Sequence, residues 1–319
     1  MSSGLNSASI LLTGGAGFLG KAVQRVLRAR GVNDSQIAVP RQAEFDLTSE
    51  GDVELLYEKR KPEVVIHLAA EVGGIGANMQ SPGRFFFANM AMSMHLIEGA
   101  RKHGVRKFVQ VGTICSYPKF CPVPFSEENL WAGYPEETNA PYGIAKKAAG
   151  VMLDAYCRQY GLAGAYVLPV NLYGPHDNFD PRSSHVIPAL IRKCVEAQEQ
   201  SADHIMCWGT GSASREFLYV DDAAEGIVLA AEKMSEPTPI NLGTGMEISI
   251  RELVQLIARL TGFTGEIRWD STKPDGQPRR CLDTRKAEKL LGFKAKVGFE
   301  KGLKDTIEWY RSAMAGQGR

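Results

Sequence analysis

The chain has 319 residues, 44% of them hydrophobic, enough to bury a full core in one large or two modest domains. Its 37 basic and 36 acidic side chains nearly cancel, so no broad positive field exists to hold a nucleic-acid backbone or an anionic membrane surface, and any phosphate must be met locally. The six cysteines, Cys115, Cys121, Cys157, Cys194, Cys207 and Cys281, lie scattered without a CxxC pair, and no apolar run resembles a signal sequence or approaches the roughly 20 residues of a membrane span; a reducing cytosol is the expected setting, with no metal site.

Residues 1–8 are small and polar and read as a flexible end without a role in chemistry. From residue 9 short β-rich runs alternate with segments of helical period: SILLT, a helix from Gly17 to Arg30, QIAV, a helix near Ser49 to Lys59, then EVVIHLAA. The rhythm continues through a long helix from about Arg84 to His103, a strand KFVQVGT, a helix from about Tyr142 to Tyr160 and a strand AYVLPV. Strands buried on both faces read as unbroken apolar runs, so the expected fold is α/β: a doubly wound Rossmann parallel sheet over residues 9–174, with part of the later chain returning to it. Beyond Gly174 three prolines and shorter elements such as IRELVQLIARL and TGEIRWD point to a smaller α/β substrate-binding subdomain over residues 175–319. No linker separates the two, and the cleft between them is the place to look for a site.

Immediately after the first strand, Thr13 leads into Gly14-Gly15-Ala16-Gly17-Phe18-Leu19-Gly20, where the first helix opens. A tight turn needs residues without a Cβ, and the free N–H groups at a helix start attract a pyrophosphate, so this segment reads as a dinucleotide loop. NAD sites commonly carry an acid at the end of the second strand, but here Arg41 stands near that point. A cation suits a ribose 2′-phosphate and favours NADP over NAD, the alternative being a solvated surface arginine. Asp46 and Leu47 follow, placed either to meet an adenine amino group or, for Asp46, to cap the next helix.

Tyr142 and Lys146 sit one helical turn apart in PYGIAKK and share a helix face. A free phenol with a pKa of about 10 is a poor acid–base group at neutral pH, and a lysine cation within reach is expected to lower that value. Lys146 also suits a ribose hydroxyl. Thr113, where the fourth strand ends, is the expected third partner for a substrate oxygen that gathers negative charge. Asn171, ending the fifth strand, is expected either beside a nicotinamide or in turn formation.

Together TGGAGFLG, HLAA, the Thr–Tyr–Lys set and NLYGP resemble the extended short-chain dehydrogenase/reductases, in that family's order and over nearly the whole chain. The longer stretches HLAAEVGGIGAN, TICSYPK, NLYGPHDNFDPRSSHVIPALIRK, WGTGSASREFLYVDD and KPDGQPRR look like the branch that epimerises GDP-4-keto-6-deoxymannose at C3 and C5 and reduces it at C4. That resemblance implies an NADP-dependent homodimer acting on a GDP-sugar, with Cys115 and His185 as epimerisation base and acid. It also implies substrate contacts at Lys193 and Arg215. Threonine stands at 113 where many members carry serine, which keeps the hydroxyl. Trp208 suits packing on a sugar or base, with burial in the core as the alternative. In KPDGQPRR the residues Lys273, Asp275 and Arg279 are candidates, Asp275 for the N–H groups of guanine. The other histidines, His67, His95, His103, His176 and His204, are expected to be structural.

Two other readings stay open on the residues. A nucleotide-sugar 4-epimerase that keeps NAD bound needs only Thr113, Tyr142 and Lys146. A silent dinucleotide-binding regulator needs only the glycine loop.

Overall fold

The computed structural model describes residues 4–317. In chain order the strands are β1 (Ile10–Thr13), β2 (Ile37–Ala38), β3 (Val64–His67), β4 (Lys107–Val111), β5 (Ala163–Pro169), β6 (Asn171–Tyr173), β7 (His204–Trp208), β8 (Ser214–Tyr219), β9 (Pro239–Leu242), β10 (Glu247–Ser249) and β11 (Glu266–Asp270). The helices are α1 (Phe18–Ala29), α2 (Glu50–Arg60), α3 (Ile75–Gln80), α4 (Pro82–Lys102), α5 (Ala140–Tyr160), α6 (Val186–Glu199), α7 (Val220–Lys233), α8 (Ile250–Thr261), α9 (Arg285–Leu291) and α10 (Phe299–Gln317).

The apolar runs ILLT, VVIH and KFVQV are buried along their whole length, as strands covered by helices on both faces must be. They join a six-stranded sheet of order β2-β1-β3-β4-β5-β9 in which every neighbour is parallel. The chain steps outward from β1 to β2 and then returns to the other side of β1 as β3. This reversal leaves a crevice beyond the carboxyl ends of β1 and β3, where such sheets take ligands. At its floor Thr13 Oγ1 lies 2.7 Å from His67 Nδ1, and burial holds that imidazole well below its ordinary pKa.

The last strand and one helix of this layer come from far down the sequence, since β9 closes the sheet beside β5 and α7 packs on α1. The rest of the later chain forms a three-stranded sheet β10-β8-β6 and a two-stranded sheet β11-β7 around its own core of Ile187, Ile191, Leu253, Ile257 and Leu303. None of the described helices is long and apolar enough to cross a membrane.

Two expectations need correction, and one open alternative is closed. Asn171 neither ends the fifth strand nor forms a turn, because β5 stops at Pro169 and Asn171 begins β6, which pairs with β8 in a different sheet. Residues 5–8 are not a loose end: Leu5 and Ala8 are buried in the core, and Gln36 Nε2 donates to the carbonyls of Asn6 and Ala8 at 3.1 Å each. Residues 1–3 lie outside the described part. Asp46 does not cap α2, a task that falls to Ser49, whose hydroxyl accepts from Asp52 N. Asp46 Oδ1 instead accepts from Thr48 N and Oγ1, and these bonds hold its carboxyl below the usual carboxylate range.

Candidate active site

One cleft of about 1140 Å³ runs between the large sheet and the later subdomain. The glycine loop forms its dinucleotide end. Gly17 caps α1 without a side chain, leaving the first N–H groups of that helix free toward the cleft. A Cβ on Gly20 would lie 2.3 Å from Gly14 O and 2.4 Å from Gly15 Cα, so α1 meets the loop only because residue 20 is glycine. Ala16, Phe18 and Leu19 also line the cleft. Gly15, expected among the cofactor contacts, does not: it is buried, and a Cβ there would sit 2.9 Å from Leu12 O and from Val39. Its task is to let the loop pack against the end of β1 and against Val39.

Arg41, Asp46 and Leu47 line the adenosine end. The Arg41 guanidinium is exposed and has no hydrogen-bond or ion-pair partner among the described residues.

The centre of the cleft is built where α5 crosses the end of β4. A Cβ on Gly143 would lie 2.2 Å from Cys115 O, and Ser116 Oγ donates to Gly143 O at 3.0 Å, so the helix sits directly on the Cys115 turn. That close approach sets Tyr142 beside Thr113, whose hydroxyl also accepts from Cys115 N at 3.2 Å. Tyr142 and Lys146 are both buried and both line the cleft.

Lys146 does not lower the phenol as expected. Burial raises the Tyr142 pKa well above 10, with Cys115 adding to the rise and the Thr113 side chain opposing it. Burial also presses Lys146 down to about 8. Two groups desolvated together each favour their neutral form. Tyr142 therefore stands in the unliganded protein as a protonated donor. No acceptor among the described residues bonds Lys146 Nζ.

Cys115 is half-buried and opens into the cleft, as does His185, the residue before α6. His185 is accessible from the cavity yet surrounded by its walls, and that enclosure holds its imidazole below the ordinary value. Asn171 lines the same wall, its Nδ2 donating to Glu216 O at 3.0 Å.

The far end is cationic. Lys193 lies on α6, its Nζ donating to Met206 O at 2.8 Å. Arg215 on β8 is buried, with its guanidinium donating to the carbonyls of Ser214 and Asp275, and burial lowers its pKa to about 9. It remains charged at neutral pH. Trp208 is not a core residue but 52% exposed, its ring forming a wall of the cleft. Asp275 lines the cleft while both carboxylate oxygens accept from Thr210, N and Oγ1, at 2.8 Å.

Arg279 turns away to pair with Glu247, and Lys273 sits 5.5 Å from the Trp208 ring centre, outside the cleft lining. The loop's cation inside the cleft is Arg280, which sequence reasoning passed over. Of the remaining histidines His176 also reaches the cleft wall, near Lys21.

A parallel sheet with a glycine loop at its switch point, and a Thr–Tyr–Lys set facing the same cleft, defines a dinucleotide-dependent protein of the short-chain dehydrogenase/reductase type. The chain belongs to the NAD dependent epimerase/dehydratase family, whose profile it matches over residues 10–243. It is 42% identical over 304 residues to "GDP-L-fucose synthase 1" of Arabidopsis thaliana, covering 95% of this chain and 93% of that one. It is 39% identical to "GDP-L-fucose synthase" of Escherichia coli strain K12, covering 96% and 97% respectively. Among solved structures, the NADP-bound GDP-L-fucose synthetase of Naegleria fowleri superposes with a TM-score of 0.87 at 30% identity, over 97% of this chain and 94% of that one.

Proposed function

We propose that the chain converts GDP-4-keto-6-deoxy-D-mannose to GDP-L-fucose, inverting C3 and C5 and then reducing C4 with NADPH. The observation that carries this reading is that Cys115 and His185 open into the same cleft as Thr113, Tyr142 and Lys146. A plain reductase or a 4-epimerase has no use for a second acid–base pair there.

The residues present fit NADP. The residues at the start of α1 offer N–H groups that no side chain caps, the glycines at 14 and 20 let the loop lie against Ala69 and against the helix, Arg41 is a cation without a partner among the described residues at the adenosine end, and Lys146 Nζ awaits an acceptor such as a ribose hydroxyl. Asp46 and Leu47 complete the adenosine end, and Asn171 stands on the wall where the nicotinamide would lie. When bound, NADPH supplies the hydride for C4.

The protein's own groups handle the protons. A ketone at C4 acidifies the hydrogens on C3 and C5, so one base and one acid inside the cleft can invert both centres. Cys115 takes the proton as the C–H electron pair moves onto the ketone oxygen, and His185 returns one to the opposite face. Thr113 and Tyr142 hold the enolate oxygen, and Tyr142, kept protonated by burial, gives its proton to the C4 oxygen during reduction. Lys193 and Arg215 meet the diphosphate, Trp208 packs against the sugar or base, and Asp275 faces the guanine.

Residues 9–174, completed by α7 and β9, bind the dinucleotide, and the remaining later elements bind the GDP-sugar. The protein works in the cytosol as a homodimer. Phe87 and Met94 lie two turns apart on α4, and Val151 on the adjacent α5 is also exposed, which supports a four-helix contact.

Protein given GDP-4-keto-6-deoxy-D-mannose and NADPH should consume the reduced cofactor one-for-one with GDP-L-fucose formed. A 4-epimerase with resident NAD would leave nicotinamide absorbance unchanged, and a silent regulator would bind without turnover; either result overturns the reading. Cys115→Ser and His185→Gln should each slow exchange of the C3 and C5 hydrogens with deuterated solvent while sparing the fold.

A further inference from the structure

Three segments far apart in sequence converge on the Cys115 thiol. Arg280 is only 6% exposed, and its Nη1 lies 3.5 Å from Cys115 Sγ. Its position is fixed from behind. Arg280 Nε donates to Gln277 Oε1 at 2.8 Å, and Gln277 Nε2 donates in turn to the carbonyls of Pro118 and Lys119, at 3.1 and 2.8 Å. Those two carbonyls belong to the stretch that leaves the Cys115 turn. Gln277 is 3% exposed, so the tether is dry. The loop carrying Arg280 is thus clamped to the segment carrying Cys115, and the guanidinium points at sulfur with its own geometry already set.

Of the charged and titratable groups that face Cys115, Tyr142 comes from α5, Arg215 from β8 and Arg280 from the loop before α9. Tyr142 is neutral and Arg215 is bonded to the carbonyls of Ser214 and Asp275. Arg280 alone among them has an N–H directed at the thiol. A charge-assisted bond of this kind favours the ionised sulfur, which is the form that removes a proton from carbon.

We propose that Arg280 is the positioning residue of the epimerisation step, holding Cys115 as a thiolate aimed into the cleft. This rests on Cys115 being the base, and it assigns the loop KPDGQPRR a part in the chemistry beyond nucleotide recognition. Gln277 is the strut that keeps the guanidinium on sulfur and off the diphosphate.

The test reads the thiol without substrate. Alkylation of Cys115 by iodoacetamide, followed peptide by peptide with mass spectrometry across pH 5.5–9.5, traces its ionisation in native protein, Arg280→Met and Arg280→Lys. With one cation removed from within ~4 Å, the Arg280→Met profile should move up by about one pH unit, a loss of about tenfold in rate at neutral pH, and Arg280→Lys should return most of it. Solvent-deuterium exchange at C3 and C5 should shift in pH by the same amount.

An unmoved alkylation profile in Arg280→Met overturns the proposal, even if KM for the GDP-sugar rises, since that pattern makes Arg280 a substrate contact. If the profile moves but native protein exchanges no substrate hydrogen, the ion pair stands and the proposed function falls. The buried Cys194 and Cys207 report folding by staying unlabelled. If they label in Arg280→Met, Gln277→Ala carries the test, since it frees the guanidinium without deleting it: an upward shift of about half a unit is expected, and no shift refutes the proposal.

Discussion

Replacing Lys146 with methionine should make the unliganded protein more stable while removing its ability to reduce a ketone. Lys146 is 2% exposed and without an acceptor for Nζ among the described residues, and burial lowers its pKa from 10.5 to about 8. A lowering of roughly 2.5 pH units is worth ~3.4 kcal/mol, and relaxation and water at the cleft mouth reduce this to about 1–3 kcal/mol. The sign follows from proton counting. Below pH 8 the folded lysine is charged and bears the full cost of burial. Between pH 8 and 10.5 the folded form has lost its proton while the unfolded chain keeps it, so native stability climbs with pH and the advantage of methionine closes. For a chain of this length the gap at pH 7 corresponds to about 2–4 °C in melting temperature. Calorimetry at pH 7 and pH 10 checks it. NADP should stabilise native protein more than the variant, since only the native side chain gains an acceptor on binding. A variant that melts below native protein at pH 7, or a gap equal at both pH values, refutes the account of Lys146 as an uncompensated buried cation.

Gly20→Ala would drive its Cβ to 2.3 Å from Gly14 O, a backbone atom that cannot swing aside, so NADP affinity should fall at least tenfold by fluorescence titration, with about 1–3 kcal/mol lost in stability. Arg41→Ser should raise KM for NADPH by roughly ten- to hundredfold and leave NADH unaffected, because it removes a charge-assisted contact that only the 2′-phosphate makes. Asp177 lines the cleft with Oδ2 buried and unpaired, and burial lifts its carboxyl to about 7. The cost of its charge is present above pH 7 and disappears as pH falls toward the unfolded value of 3.8. Asp177→Asn should therefore melt higher than native protein at pH 8.5, by about 1–2 kcal/mol, and equal it near pH 4.

What the sequence disclosed follows from how local each feature is. The glycine loop and the Tyr142–Lys146 pair are written within eight and five consecutive residues, where helical geometry and a strand-to-helix turn decide placement. The end of β5 is not legible, because apolar residues flank Asn171 on both sides where the chain leaves one sheet for another, and hydrophobicity does not record which sheet a strand joins. Of the two roles open to Asp46, the cap goes to Ser49 because the hydroxyl three residues later sits nearer the first free N–H groups of α2. The pKa of Tyr142 was misjudged for a different reason: spacing gives the distance to Lys146, but only the packed structure gives the desolvation that opposes it. Arg280 was missed because its contact with Cys115 spans 165 residues, and of two adjacent arginines only the fold shows which one Glu247 draws outward.

The return of α7 and β9 to the large sheet bears on how the chain is made. On a ribosome the first five strands emerge well before residue 239, and until then β5 is an open edge and, before α7 is made, the face of α1 that packs on it is bare. The dinucleotide layer therefore closes only after about three-quarters of the polypeptide has been synthesised, and a nascent chain stalled at residue 174 exposes both surfaces to chaperones.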